Sequence, residues 1–154
     1  MTTEPVTVAI LAGGHSRRMG TDKSFVLLDG KPLIQHVIER VSALTTGVML
    51  ITNSPEKYAR FDLPMHADVI PESGALGGLY TALTYSPSEY AVCIACDMPF
   101  LNPQLLQYLI DQCVGYQAVA PSVDGQIEAL HAVYCRSCLS VIRQQIDARQ
   151  LRLS

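Results

Sequence analysis

Residues 7–23 read Thr7-Val8-Ala9-Ile10-Leu11-Ala12-Gly13-Gly14-His15-Ser16-Arg17-Arg18-Met19-Gly20-Thr21-Asp22-Lys23. The run Thr7–Leu11 is apolar and β-branched and stops at paired glycines, the pattern of a buried strand that ends in a glycine loop. Glycines there let backbone N–H groups approach a phosphate or a base closely. Arg17, Arg18 and Lys23 add positive charge beside them, three of the eleven Lys and Arg in a chain of formal net charge −3. A solvated surface loop is the plain alternative for any basic cluster. The spacing from Gly14 through Gly20 to Lys23 is not that of a Walker A loop, and the dinucleotide glycine fingerprint is absent, so neither familiar phosphate motif applies.

Outward from this stretch, the hydrophobic period alternates between strand and helix. From Lys31 it becomes helical: Pro32 suits a first turn, and Leu33, Ile34, Val37, Ile38, Val41 and Leu44 share one face. Val48–Thr52 reads as a second strand ended by Asn53-Ser54-Pro55, and His66–Ile70 as a weaker third before Pro71. Leu76, Leu79, Tyr80 and Leu83 predict a helix to about Tyr85, followed by the most apolar strand, Tyr90–Cys96, which Asp97 closes. Asn102 can cap a helix with Pro103 at its first position and Leu105, Leu106, Leu109 and Ile110 inward. Gln117–Ala120 and Ala129–Tyr134 read as strands, and a last helix runs from about Ser137 to Arg149. Alternating strands and helices with short links predict one open, mostly parallel α/β sheet over residues 1–154. Such sheets bind ligands at the carboxyl ends of their strands, which selects the loops after the first three strands and after Tyr90–Cys96.

Composition narrows the function classes. Hydrophobic residues make up 49% and charged residues 16%, as in a globular domain rather than a disordered chain. No stretch nears the roughly 18 apolar residues of a membrane span, and the N-terminus lacks a basic signal-peptide region, so a cytoplasmic protein is expected. Net acidity argues against a nucleic-acid or membrane surface. Five cysteines without an export signal suggest reduced thiols.

The signature loop resembles that of the molybdenum cofactor guanylyltransferases, the MobA-like nucleotidyltransferases that attach GMP to molybdopterin. Leu11-Ala12-Gly13-Gly14, Ser16, Arg18-Met19-Gly20 and Asp22-Lys23 meet its fixed positions. The resemblance continues through Asp29–Leu33, Thr52-Asn53, Val69–Glu72, Gly74–Gly78, Cys96–Phe100 and Leu130–Tyr134, nearly the whole chain. It implies a Rossmann-like three-layer sheet of the nucleotide-diphospho-sugar transferase type. It also implies GTP and molybdenum-molybdopterin as substrates, with the molybdenum-insertion enzyme and molybdoenzyme chaperones as partners. Arg18 and Lys23 are then expected to contact the triphosphate and its leaving pyrophosphate. Leu11, Ala12, Gly13 and Gly14 should meet guanine and sugar through backbone groups, with Asn53 and Glu72 as further contacts. Glu72 stands where the family often has Asp, which keeps Asp68 as an alternative. Asp97 is the expected ligand of a Mg²⁺ cofactor, since Mg²⁺ favours one or two carboxylates plus phosphate oxygens. Leu76-Gly77-Gly78 resembles a loop that closes over the base; the alternative is a helix start whose glycines permit close packing. Family members usually continue for some tens of residues with a further strand and helix, which 154 residues are expected to lack.

Cys93 with Cys96 and Cys135 with Cys138 mimic a zinc pattern, but residues three apart on a strand face opposite sides, which favours ordinary buried thiols. Cys113 is expected to pack beside a helix. His15 can touch phosphate or be a solvated loop residue. His131 is expected to be a satisfied structural histidine, with the acceptor as the alternative, and His36 and His66 to be structural. Tyr80 and Tyr108 are expected in core packing. Rival functions are a molybdopterin cytidylyltransferase, a cobinamide-phosphate guanylyltransferase, a sugar-phosphate nucleotidyltransferase, or a nucleotide-binding module without catalysis. Cytidylyl relatives typically carry Ala-Gly at the position of Gly13-Gly14, which favours GTP.

Overall fold

The computed structural model describes residues 5–12, 23–44 and 47–153. Its centre is β1 (Val6–Leu11), flanked by β4 (Val48–Ile51) and β6 (Tyr90–Ala95). With β5 (Met65–His66), β7 (Ala118–Val119) and β10 (His131–Cys135) these make a six-stranded sheet ordered β5-β4-β1-β6-β10-β7. β5, β4, β1 and β6 pair in parallel; β10 runs antiparallel to β6 and to β7. The three-layer, mostly parallel sheet expected from the sequence is therefore present, with one reversed strand near its edge.

Strand periodicity sorts the core into two layers. Val8, Ile10, Leu50, Val92, Ile94 and Val133 face one side, against α1 (Leu33–Val41), α2 (Pro55–Tyr58) and α4 (Pro103–Asp111). Ala9, Met49, Ile51, Ala91, Cys93 and Ala132 face the other, against α3 (Gly74–Tyr85) and α5 (Leu139–Asp147). In α1 the side chains of Ile34, Val37 and Val41 are fully buried, each contributing roughly 1.5–3 kcal/mol of hydrophobic stabilisation. Asn102 caps α4 as expected, its Oδ1 accepting from the N–H groups of Gln104 at 2.9 Å and Leu105 at 3.4 Å.

Several expectations need correction. Pro32 lies one residue ahead of the first turn, as the N-cap of α1, and also closes a small hairpin, β2 (Leu27–Leu28) with β3 (Lys31–Pro32). Asp29 and Gly30, at φ 52° and 78°, form the turn that imposes it, as the Asp-Gly pair favours. Asp124 and Gly125, at φ 50° and 80°, do the same between β8 (Ser122–Val123) and β9 (Gln126–Ile127). The His66–Ile70 strand shrinks to Met65–His66, because Asp68 N–H donates to Asn53 Oδ1 at 2.9 Å and Val69 N–H to Thr81 Oγ1 at 3.0 Å, outside any ladder. The Gln117–Ala120 strand covers Ala118–Val119, and the last helix begins with a 3-10 turn, Arg136–Cys138.

Tyr108 is 60% exposed rather than packed, since the buried stripe of α4 is Leu106, Leu109 and Ile110. Tyr80 packs against the α3–α5 layer as expected. His131 is buried, and neither ring nitrogen has a hydrogen-bond partner among the described residues, which departs from the satisfied structural histidine expected. His36 Nε2 pairs with the Leu28 carbonyl at 2.7 Å and His66 stacks on Tyr85 at 4.0 Å, both structural roles. All five cysteines are free thiols. Cys93 lies in the α3–α5 layer and Cys96 packs against the opposite one, as strand geometry requires; Cys113 is buried just after α4. No group of three or more metal-ligating side chains occurs among the described residues. No helix among them is long and apolar enough to cross a membrane.

Candidate functional site

The carboxyl edge of the four parallel strands collects most of the candidate residues. Leu11 is the last residue of β1, and the strand ladder continues just past it: Ala12 N–H donates to the Ile51 carbonyl at 2.9 Å, and the Leu11 carbonyl accepts from Cys96 N–H at 3.2 Å. These bonds bring the end of β1 against the ends of β4 and β6. Gly13, Gly14, His15, Arg17 and Arg18 lie outside the described residues. The described chain resumes at Lys23, exposed at the start of the 3-10 turn Lys23–Phe25.

Asp97 sits in the turn directly after β6, exposed, and forms no ion pair among the described residues. A carboxylate so placed has lone pairs available to a hard cation. Asn53, immediately beyond β4, is locked to the next loop: besides accepting from Asp68 N–H, its Nδ2 donates to Asp68 Oδ2 at 3.1 Å. The structure thus joins Asn53 to the residue weighed as an alternative to Glu72. Glu72 is exposed on the turn before α3 at φ 59°, a left-handed conformation uncommon for a residue with a Cβ. Its carbonyl accepts from Arg149 Nη2 at 3.1 Å, so residues just past α5 reach the same edge.

Leu76, Gly77 and Gly78 are buried within α3, so the reading of them as a loop over the base is corrected. Close packing explains the glycines. A Cβ at Gly78 would stand 2.8 Å from Leu11 Cδ2, and one at Gly77 would stand 2.7 Å from Ser73 Cβ. Thr81 fixes the same region, its Oγ1 donating to the Gly77 carbonyl at 2.9 Å while accepting from Val69 N–H.

Sequence reasoning missed the side chains behind this edge. Tyr58 OH donates to Ser24 Oγ at 3.0 Å, and Ser24 Oγ donates to Cys96 Sγ at 2.9 Å. Their separations of 34 and 72 residues leave no local pattern to find them by.

A mostly parallel open sheet with an exposed carboxylate at the end of β6, and a glycine–arginine signature leading from β1 to Lys23, has the architecture of a nucleotidyltransferase. A model of the MobA-like NTP transferase domain matches residues 8–153, and the chain belongs to that family. A probable molybdenum cofactor guanylyltransferase from Natranaerobius thermophilus is 39% identical over 150 residues, 94% of this chain and 73% of the relative. One of the same name from Flavobacterium johnsoniae is 33% identical over 151 residues, 97% of this chain and 79% of the relative. Among solved structures, molybdopterin-guanine dinucleotide biosynthesis protein A from Archaeoglobus fulgidus superposes with a TM-score of 0.79 at 29% identity, covering 92% of this chain and 73% of the other.

Proposed function

We propose that the chain transfers GMP from GTP to the terminal phosphate of molybdenum-bearing molybdopterin, forming the guanine dinucleotide cofactor and releasing pyrophosphate. The observation that carries this reading is the continuation of the family signature, Leu11 to Lys23, from the end of β1, beside a β6 that is followed by the turn carrying Asp97. The names borne by the relatives supply the nucleotide and the acceptor.

An oxygen of the acceptor phosphate attacks the α-phosphorus of GTP; the new P–O bond forms as the bond to the β-phosphate's bridging oxygen breaks, and pyrophosphate leaves. A phosphate nucleophile is already ionised near neutral pH, so no strong general base is required. Catalysis then rests on alignment and charge neutralisation. Lys23, with Arg18, neutralises charge on the β- and γ-phosphates as the leaving group departs. The backbone after Leu11 and the Asn53–Asp68 pair hold the nucleoside across the ends of β1 and β4. Asp97 holds Mg²⁺. The donor set suits that ion, because a single exposed carboxylate leaves the remaining positions to phosphate oxygens and water. When bound, Mg²⁺ supplies Lewis-acid polarisation of the phosphates. The same reading makes the molybdenum-insertion enzyme the supplier of the acceptor and molybdoenzyme chaperones the recipients of the product.

Pyrophosphate release measured with each of four nucleoside triphosphates and molybdopterin tests the assignment. Turnover with GTP is expected, and turnover with CTP alone would overturn it. Asp97→Asn and Lys23→Ala are each expected to lower kcat by about 10²- to 10³-fold, the usual cost of one removed electrostatic contact. An Asp97 variant with full activity would refute the metal assignment.

A further inference from the structure

Ser24 and Tyr58 are both fully buried, and each carries a hydroxyl there. Burying such groups costs free energy unless they are bonded, and here they are bonded in series: Tyr58 OH to Ser24 Oγ at 3.0 Å, Ser24 Oγ to Cys96 Sγ at 2.9 Å. Ser24 accepts from one partner and donates to the next, so each bond polarises the other.

The three residues come from three separate segments of the chain. Ser24 follows Lys23; Cys96 precedes Asp97; Tyr58 ends α2, which begins two residues after Asn53. Each is close in sequence to a residue assigned above to the triphosphate, the metal or the nucleoside. The series is also braced. Tyr58 packs on Phe25 and Phe61, with ring centroids 5.1 and 6.3 Å away, and the Arg60 guanidinium lies 4.9 Å from the Phe25 centroid and 5.0 Å from that of Phe61. Cys96 is tied by its own N–H to the Leu11 carbonyl. Neither hydroxyl reaches the surface, so neither touches substrate.

We propose that Tyr58, Ser24 and Cys96 are positioning residues whose buried hydroxyl–hydroxyl–thiol series fixes Lys23 relative to Asp97, and through them the triphosphate relative to its metal. The proposal rests on the roles given to Lys23 and Asp97 above. A misplacement near 1 Å between such groups can cost about 100-fold in rate, so a rigid link behind them has a kinetic consequence beyond its stability.

The test separates those two effects. Ser24→Ala removes the hydroxyl that accepts from Tyr58 OH and donates to Cys96 Sγ, and is expected to lower both Tm and kcat. The double variant Ser24→Ala/Tyr58→Phe removes both hydroxyls and leaves a closely matched apolar shape, so its Tm returns most of the way to wild type. Its kcat with GTP and acceptor should stay down by about tenfold or more, with a smaller change in KM. Cys96→Ala should lose kcat similarly, and Cys96→Ser, which keeps an acceptor for Ser24, should restore most of it. A double variant that regains kcat together with Tm would overturn the proposal, as would Cys96→Ala with wild-type kcat. Wild-type protein that binds GTP but releases no pyrophosphate would overturn the guanylyl reading instead. The series is then judged on GTP affinity, which the double variant must weaken about tenfold at restored Tm, and unchanged affinity would refute it.

Discussion

His131 lies opposite Ile94 across the antiparallel β6–β10 pair, so its ring points into the same layer as Ile94 and Val133. Burial pushes its pKa below the usual histidine value, only partly offset by Glu128. With neither nitrogen partnered among the described residues, the ring carries a desolvation cost that none of them repays. His131→Leu, similar in volume, should therefore stabilise the protein by about 1 kcal/mol at neutral pH, read as a higher urea midpoint. The pH dependence follows from the depressed folded-state pKa. Below about 6.5 the unfolded chain takes up a proton that the folded ring resists, so wild-type stability is fullest above that pH and falls as the pH drops towards the lowered value. The variant should lose that part of the acid sensitivity, which thermal melts at pH 7.0 and 5.5 would show. The sequence set His131 in an apolar strand, but the absence of a partner depends on which side chains β6 and its helices bring near, and no spacing encodes that. Asp97 was legible because a carboxylate abruptly ends an apolar strand. The Ser24–Cys96 bond was not, because it joins loops that meet only once the sheet has formed.

Helix α3 shows how one element both packs and sets the site. Its first half carries Gly77 and Gly78 against Ser73 and Leu11, and its Thr81 fastens Val69. Gly77→Ala gains about 1 kcal/mol of helix propensity but places a Cβ against Ser73 Cβ and the Ile70 carbonyl, where relief requires moving the turn that carries Glu72. A net loss of about 1 kcal/mol or more is expected, with a raised KM for GTP if Glu72 contacts the nucleotide. Denaturant melts and steady-state kinetics check the two parts separately. The helix was readable from Leu76, Leu79, Tyr80 and Leu83, while the glycines admitted two readings that only the distance to Leu11 separates. Elements defined by strong apolar periodicity, β1, α1, β4, β6 and α4, match expectation closely. The third strand failed because Asp68 finds Asn53 and Val69 finds Thr81, long-range bonds that override a weak local preference for extension.

Across the whole molecule, a ligand that spans the ends of β1, β4 and β6 couples to both core layers, since those central strands separate them. Mg²⁺ with GTP at about 100 times its Kd should raise global stability by about 2.7 kcal/mol, visible as a single shifted melting transition. EDTA should remove most of that shift if Asp97 holds the ion. Net acidity bears on the same scale: with a formal charge of −3, local cations must attract the triphosphate against the overall field. Raising the ionic strength from 0.01 to 0.15 M shortens the Debye length from about 30 to about 8 Å and should weaken GTP binding.

The reversal of β10 has a practical outcome. Because that strand starts where its parallel neighbours finish, the β8–β9 hairpin overhangs the same rim of the sheet that carries Asp97. Its turn at Asp124-Gly125 is exposed, and among the described residues β8 and β9 pair as a two-stranded ribbon of their own. A dye attached there could report occupancy of the rim, and a grafted peptide could lengthen the overhang, while the strands that build the core keep their register.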